Sequence, residues 1–280
     1  MHLMLVLVAL GAAIALRWRW QPTSAGSWAQ RWAAATCTLL LPPLGLLSVA
    51  IAIVVMGWQG RMFHVAVGWY GYGLAVGWLA IALLLLAQAA WQAWRTEREA
   101  RHYPLVTIAG ATSRLLPTEL PFAAQVGVGS PQLLVSQGLL DSLTPAQVAA
   151  VLAHEQAHVY YRDTFWGFWW GWLRRLTAWL PRTQALWQEL LLLRELRADA
   201  WAAARVEPLL LAEALLQVVQ GPAGFVTNHY AAFGEPAAPQ RLVARIEALL
   251  AAEAISVAAP PRWWLWSLAI APLVLVFWHH

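Results

Sequence analysis

Four stretches without charged residues dominate the hydrophobic pattern of the chain. Residues 1–16, 32–60, 62–94 and 263–280 contain no Asp, Glu, Arg or Lys. An α-helix needs about 20 apolar residues to cross the hydrocarbon core of a bilayer. The second and third stretches exceed that length, and the first and last approach it with arginines or tryptophans at their ends. The pattern therefore predicts four transmembrane helices.

The arginines between these stretches predict the orientation in the membrane. Three lie between the first and second spans, one lies between the second and third, and three follow the third: Arg17, Arg19, Arg31, Arg61, Arg95, Arg98 and Arg101. Because arginine-rich loops stay in the cytoplasm, we expect a multi-pass protein of the inner (plasma) membrane with its N-terminus outside. A signal peptide is the rival interpretation of residues 1–16, but such peptides begin with basic residues, whereas here the arginines follow.

Between the third and fourth spans the pattern changes to that of a globular domain. VTIAG and AQVGVGSPQLLVSQGLL predict short strands, since apolar and β-branched residues are interrupted by Gly and Pro. From Thr144 onward the pattern is helical, with Thr144 as N-cap, Pro145 at the first helical position and Gln147 completing a capping box. The predicted organisation is three transmembrane helices in 1–94, a cytoplasmic α+β, mainly helical domain in 95–261, and a fourth transmembrane helix in 262–280.

Composition supports a membrane protein. The 280 residues are 60% hydrophobic and 11% charged, against about 45–50% and about 25% in soluble domains. The net charge of +4 comes from arginines alone, and these flank the predicted spans instead of forming a basic cluster, so nucleic-acid binding is not expected. Cys37 is the one cysteine, which excludes an intrachain disulfide and a cysteine-based metal site.

The sequence HEQAH lies on the helix that begins after Thr144. His154 and His158 are four residues apart, so both imidazoles project from one face and can bind one metal ion. Glu155 lies about 100° around the helix; in H-E-x-x-H sites this glutamate takes a proton from the zinc-bound water and does not ligate. A chance cluster on an amphipathic helix is the alternative, but the cap and the surrounding alanines favour a zinc site.

A second predicted helix, beginning near Thr183, carries the strongest candidate for a third ligand. Glu195 and Asp199 are also four residues apart and share a face. Glu195 can supply an oxygen ligand, and Asp199 can accept a hydrogen bond from the outer ring nitrogen of a ligand histidine. Interleaved arginines make a solvated charged face the alternative interpretation. Three further residues remain competing ligands: Glu189, Asp163 and His229.

HEQAHVYYRD, followed about forty residues later by RELRADAWA, resembles the membrane zinc peptidases of the BlaR/MecR antirepressor type, and more distantly the heat-shock-type and prenyl-protein-type membrane peptidases. The resemblance covers roughly residues 100–250. It implies a zincin-like gluzincin domain that binds Zn²⁺, and an edge strand before the zinc helix that can hold an extended substrate. The roles it implies are metal ligands for His154, His158 and Glu195, the catalytic base for Glu155, and the partner of a ligand for Asp199.

Two departures from that family limit what the resemblance implies. Antirepressor receptors carry an extracellular penicillin-binding sensor after the fourth span, and none follows here, so β-lactam sensing is not expected. Related families also place a His-Pro pair before a late Arg-Ile, whereas no such histidine precedes Arg245 and Ile246. Arg245, His229 or Tyr230 is a candidate for stabilising the oxyanion, and a purely structural role is the alternative for each.

DTFWGFWWGWLRRLTAWLP directly follows the predicted zinc helix and contains five tryptophans and two phenylalanines. Arg174 and Arg175 in its middle disfavour a full membrane crossing, and the core of a soluble protein seldom concentrates so many indoles. We therefore predict an interfacial helix that lies on the bilayer surface.

Together these features predict an integral membrane zinc-dependent endopeptidase with a cytoplasmic or membrane-proximal protein substrate. A non-catalytic membrane scaffold or signalling protein is the alternative, although such a protein would not need the base Glu155. A transporter is not indicated, because the three long apolar stretches contain no acid or base for an ion path. The predicted partners are a protein or peptide substrate and the lipid bilayer, and the oligomeric state is not predicted.

Overall fold

The structure is a computed structural model that describes residues 2–22, 26–58, 61–62, 65–66, 68–220 and 239–251. The predicted fourth transmembrane helix and the candidates His229 and Tyr230 lie outside the described residues. The described chain is mostly helical with a small sheet. It divides into two compact units, of which the first unit is built from residues within 1–88 and 170–191 and the second unit from residues within 89–169 and 192–255.

The helices are α1 (His2–Arg19), α2 (Trp28–Met56), α3 (Gly68–Ala100), α4 (Gln137–Ser142), α5 (Pro145–Tyr160), α6 (Asp163–Leu176), α7 (Thr183–Ala203), α8 (Pro208–Gln220) and α9 (Pro239–Leu250). The strands are β1 (Arg61–Met62), β2 (Val65–Ala66), β3 (Leu105–Ile108), β4 (Ala111–Leu116), β5 (Ala123–Val126) and β6 (Gln132–Ser136).

Two of the described helices, α2 and α3, are long and apolar enough to cross a membrane. They correspond to the second and third predicted spans, but neither coincides with its charge-free stretch. α2 begins at Trp28, earlier than predicted, because Ser27 forms a capping box with Gln30. It ends before Gly57, whose φ of 76° does not continue a helix.

Helix α3 begins and ends later than the predicted span 62–94. The charge-free stretch 62–94 begins before the helix does, because β1 and β2 form a short antiparallel pair at its start. At the other end α3 continues to Ala100, since Arg95 pairs with Glu99 at 2.9 Å across one helical turn. A charge-free stretch therefore marks the apolar part of a helix and misses the capped or ion-paired ends.

Helix α1 covers the first predicted span and continues through Arg17, whose side chain is fully buried in the first unit. The Arg17 guanidinium donates hydrogen bonds to Thr183 Oγ1 at 2.9 Å and to the carbonyl oxygen of Leu39 at 3.1 Å. Arg31 in α2 pairs with Glu189 in α7 at 2.8 Å. Two arginines predicted only as membrane-flanking charges thus also anchor the N-terminal part of α7.

Helix α6 contains most of the tryptophan-rich segment, and its aromatic residues have two different environments. In its C-terminal half, Trp172 packs in the core of the first unit and donates its indole N–H to the carbonyl oxygen of Ala82 at 2.9 Å. In its N-terminal half, Phe165 and Trp166 are 36% and 47% exposed. An interfacial position stays a prediction, and it concerns this exposed half.

The second unit contains a four-stranded sheet with the strand order β3-β4-β6-β5. β3 and β4 form an antiparallel hairpin, and its two turn residues, Ala109 and Gly110, both have positive φ. β6 pairs in parallel with β4 and antiparallel with β5. β5 is therefore an edge strand, and it packs beside α5.

The predicted strands in VTIAG and AQVGVGSPQLLVS are confirmed as β3, β5 and β6. The prediction that strand structure continues into QGLL was wrong. Ser136 caps α4 there, because its side chain accepts a hydrogen bond from the Leu139 N–H. Strand β4 was not predicted. Its Arg114 interrupts the apolar pattern, and the guanidinium satisfies the carbonyl oxygens of Arg101 and Tyr103, both at 2.7 Å.

Helix α5 packs against α8, α4 and β5 in the second unit. The predicted capping box is confirmed: Thr144 Oγ1 accepts from Gln147 N at 3.3 Å, and Thr144 N donates to Gln147 Oε1 at 3.0 Å. Helix α7 begins at Thr183, as predicted. Ala150 in α5 and Ala202 in α7 are fully buried in one cluster with residues of α8 and α9, so small side chains let these helices pack closely around HEQAH.

Candidate metal centre

The two histidines of HEQAH lie one turn apart on α5, and both side chains are largely buried. Their Nε2 atoms are 3.1 Å apart, and the two rings stand nearly perpendicular to each other. Both Nε2 lone pairs can therefore point at one position, which is the arrangement that the i, i+4 spacing predicted.

Glu195 in α7 brings its carboxylate to the same position. Its Oε2 lies 3.4 Å from His154 Nε2, and its Oε1 lies 3.9 Å from His158 Nε2. Ligand atoms about 2.0–2.1 Å from a tetrahedral zinc ion are separated from one another by about 3.4 Å. Among the described residues, these three form the group whose ligand atoms all lie within 4.8 Å of one another, and their spacing fits a small tetrahedral ion.

A carboxylate lies behind each histidine. Asp199 Oδ1 is 2.8 Å from His154 Nδ1, and Asp163 Oδ2 is 2.7 Å from His158 Nδ1. A carboxylate at Nδ1 favours the tautomer that carries its proton there and leaves Nε2 free to ligate. Asp199 thus lies beside His154, and its role as the hydrogen-bond partner of that ligand stays a prediction. Asp163 was considered only as a competing ligand, and the structure places it on the far side of the His158 ring.

Three arginines neutralise the carboxylates of the site. Arg245 in α9 faces Asp199 with Nε and Nη2, both at 2.7 Å, and its Nη1 lies 3.3 Å from Glu195. Arg194 lies 3.0 Å from Glu195 Oε1. Arg197 forms an ion pair with Asp163. The alternative of a solvated charged face on α7 does not hold, because these arginines contact the buried carboxylates.

These contacts set the protonation of the site. Burial acts to raise the pKa of Glu195, but the charge of Arg194 and the other cationic neighbours hold it well below its usual range. Burial also acts to raise the pKa of Asp199, but the charge of Arg245 and its hydrogen bonds outweigh burial and lower that pKa. Burial lowers the pKa of His154, yet Asp199 and Glu195 together raise it to about 9. Glu195 and Asp199 are therefore ionised, and a metal ion competes with a proton for His154.

Glu155 is buried on α5, one residue after the first histidine of the motif. Burial acts to lower the pKa of Arg245, but the carboxylates of Asp199, Glu195 and, least, Glu155 outweigh burial and raise that pKa. The Glu155 carboxylate is therefore close enough to interact electrostatically with the Arg245 guanidinium. Glu155 is outside the group of converging ligand atoms. A role as a base that does not ligate stays a prediction for Glu155.

The remaining sequence candidates have other positions. Glu189 pairs with Arg31 in the first unit, and its carboxylate is outside the group of converging ligand atoms. Every nitrogen of Arg245 faces Asp199 or Glu195, so the guanidinium contacts the two α7 carboxylates of the site. A role of Arg245 in stabilising the oxyanion stays a prediction. His229 and Tyr230 lie outside the described residues.

Sequence reasoning missed Asp163 as the partner of His158 and Arg197 as the partner of Asp163. Asp163 is the first residue of α6, and the chain reaches it from α5 through Arg162, which has a positive φ of 54°. The signal that the sequence offered for Asp163 was a carboxylate five residues after a ligand histidine, beyond a break between two helices. For Arg197 the sequence offered no signal beyond its charge.

Paired imidazoles on one helix, with a carboxylate from a second helix, form the donor set of a catalytic zinc site that keeps one position open. The model of peptidase family M48, a zinc metallopeptidase family, matches residues 122–193. This match points to a metallopeptidase, and the family is typically zinc-dependent. It spans β5 and HEQAH and ends two residues before Glu195, so Glu195 is supported by geometry alone. No curated protein and no solved structure matches the chain significantly.

Proposed function

We propose that this protein is an integral membrane zinc endopeptidase that cleaves a cytoplasmic or membrane-proximal segment of a protein, in regulatory proteolysis or in membrane protein quality control. The observation that carries the proposal is the convergence of His154, His158 and Glu195, with a carboxylate oxygen within 2.8 Å of the far nitrogen of each imidazole. The order of HEQAHVYYRD and RELRADAWA supports placement near the antirepressor-type peptidases within this class.

The residues of the site have complementary roles in peptide hydrolysis. His154, His158 and Glu195 would hold zinc, which supplies a Lewis acid that polarises the scissile carbonyl and makes a bound water more acidic. Glu155 accepts the proton of the attacking water and passes it to the leaving amine. Asp199 and Asp163 keep both imidazoles in the ligating tautomer.

Strand β5 supports a peptide as the substrate. It is one of the two edge strands of the four-stranded sheet and packs beside α5, so one side of its backbone has no strand partner among the described residues. An extended peptide can pair with such an edge through main-chain hydrogen bonds, with little dependence on sequence.

Metal analysis tests the proposal directly. The purified full-length protein should contain about one zinc ion per chain, as three protein ligands with one open position require. Removal of the metal by a chelator should abolish cleavage of an unfolded protein substrate, and added zinc should restore it. A folded wild-type protein that neither contains nor binds zinc would rule out this function.

Membrane insertion is supported by the surface of α3. This helix has 33 residues, and only 11% of its most apolar window is buried. Leu74, Ile81, Leu83 and Leu84 are all more than half exposed. Apolar surface of that length is expected to contact lipid and not water. We propose that α2 and α3 cross the inner membrane and that the second unit lies in the cytoplasm.

Reporter fusions test this orientation. A fusion after Arg101 should report the cytoplasm, and a fusion near Arg61 should report the outside, because the arginines concentrate on the side predicted to be cytoplasmic. The reversed pattern would place the candidate site on the other face of the membrane and change the class of substrate. Equal cytoplasmic signals from both fusions would contradict membrane crossing by α3.

A further inference from the structure

We propose that Arg197 is a positioning residue for the metal ligands. It connects α7, which carries Glu195, to the carboxylate of Asp163, which contacts His158. The inference rests on the proposed zinc function. Its basis is an asymmetry between the two histidines. The partner of His154 is Asp199, which lies on α7 together with Glu195. The partner of His158 is Asp163, which lies on α6.

Arg197 supplies the missing connection to α7. The two oxygens of Asp163 have separate partners, since Oδ2 faces His158 Nδ1 at 2.7 Å and Oδ1 faces the guanidinium of Arg197. The Asp163 side chain is 5% exposed and that of Arg197 is 11% exposed. A closed chain of contacts thus runs from His158 through Asp163 and Arg197 into α7, which also supplies Glu195.

The guanidinium of Arg197 is itself held in place. Its central carbon lies 4.0 Å from the centroid of the Tyr161 ring, so the ring supports one face of the planar group while its edge reaches Asp163. Tyr161 lies between the end of α5 and the start of α6. A lysine ammonium cannot combine the stack with the ion pair in one planar group, so we expect lysine to replace Arg197 only in part.

Loss of the ion pair between Arg197 and Asp163 should weaken zinc binding without removing a ligand. Without Arg197, Asp163 keeps a buried charge that has lost its partner, which favours rearrangement of the carboxylate away from its present position. His158 would then lose the group that fixes its ring. Changes at such partners typically reduce metal affinity about 10–100-fold, and we expect Arg197→Met to fall in that range.

The experiment measures zinc affinity of the purified full-length protein by competition with a chelator, for the wild type, Arg197→Met, Arg197→Lys and Arg205→Met. Arg205 is a matched control, because its guanidinium stacks on Trp201 with 3.4 Å to the ring centroid and forms no described carboxylate pair. Arg205→Met should bind zinc like the wild type, and Arg197→Lys should recover part of the affinity lost in Arg197→Met. Cobalt substitution adds a spectroscopic readout, since its visible absorption reports the ligand geometry.

A double-mutant cycle with Asp163→Asn separates positioning from a general effect on folding. If Arg197 acts through Asp163, Arg197→Met should cost little further affinity in the Asp163→Asn background. Full additivity of the two changes, or a folded Arg197→Met protein with wild-type zinc affinity and an unchanged cobalt spectrum, would overturn the inference. Absence of zinc binding in the wild type would instead overturn the proposed function, so the two failures are distinguishable.

Discussion

Glu155→Gln is expected to keep zinc and to lose peptide cleavage. Glu155 lies about 100° around α5 from His154 and outside the group of converging ligand atoms, so its amide analogue should leave the three ligands in place. The amide cannot accept the proton of the attacking water. General acid–base groups contribute about 10²–10⁴-fold to the rate, and we expect a loss of that order in kcat.

Zinc content and cleavage rate should be measured on the same preparations of wild type, Glu155→Gln and Glu207→Gln. Glu207 is exposed at the start of α8 and serves as the matched control, with both quantities unchanged. Full activity of Glu155→Gln would exclude the assigned base. The same variant separates an enzyme from a scaffold, because a scaffold would keep its cellular effect without Glu155, whereas substrates of an enzyme should accumulate.

Local sequence signals predicted those parts of the fold that short-range chemistry controls. The capping box of Thr144 and Gln147 predicted the start of α5, since both hydrogen bonds form within one turn. The i, i+4 spacing predicted that His154 and His158 would face one position. Such features need no knowledge of the tertiary structure, and the structure has them where the pattern placed them.

The parts that were missed depend on residues distant in sequence. Arg245 lies 46 residues after Asp199, and its bidentate contact forms only because α9 packs in the second unit. Arg17 lies 166 residues before Thr183, and no periodicity along the chain indicates that pair. The ends of α2 and α3 were misplaced for another reason, because helix ends are set by caps and ion pairs and not by the limits of an apolar stretch.

Glu195→Gln is expected to have the largest effect on zinc binding of any single change in α7. The Glu195 carboxylate lies within 3.4 Å of His154 Nε2 and is the anionic member of the proposed ligand set. An amide in its place has no negative charge to offer the zinc dication. The substitution also removes the ion-pair partner of Arg194. We therefore expect a larger loss of affinity than the roughly 10–100-fold typical of residues that only orient a ligand.

Two further variants on α7 make this prediction specific. Asp199→Asn should weaken zinc binding by about 10–100-fold, because Asp199 lies 2.8 Å from His154 Nδ1 and its proposed role is to orient that ligand without binding the metal. Glu189→Gln should keep the metal, since Glu189 pairs with Arg31 and lies six residues earlier, about 120° off the ligand face. Zinc content of the three variants, measured in parallel, decides the assignment. Metal loss in Glu189→Gln with retention in Glu195→Gln would show that the third ligand is Glu189, and a metallopeptidase function would then rest on a different helical face.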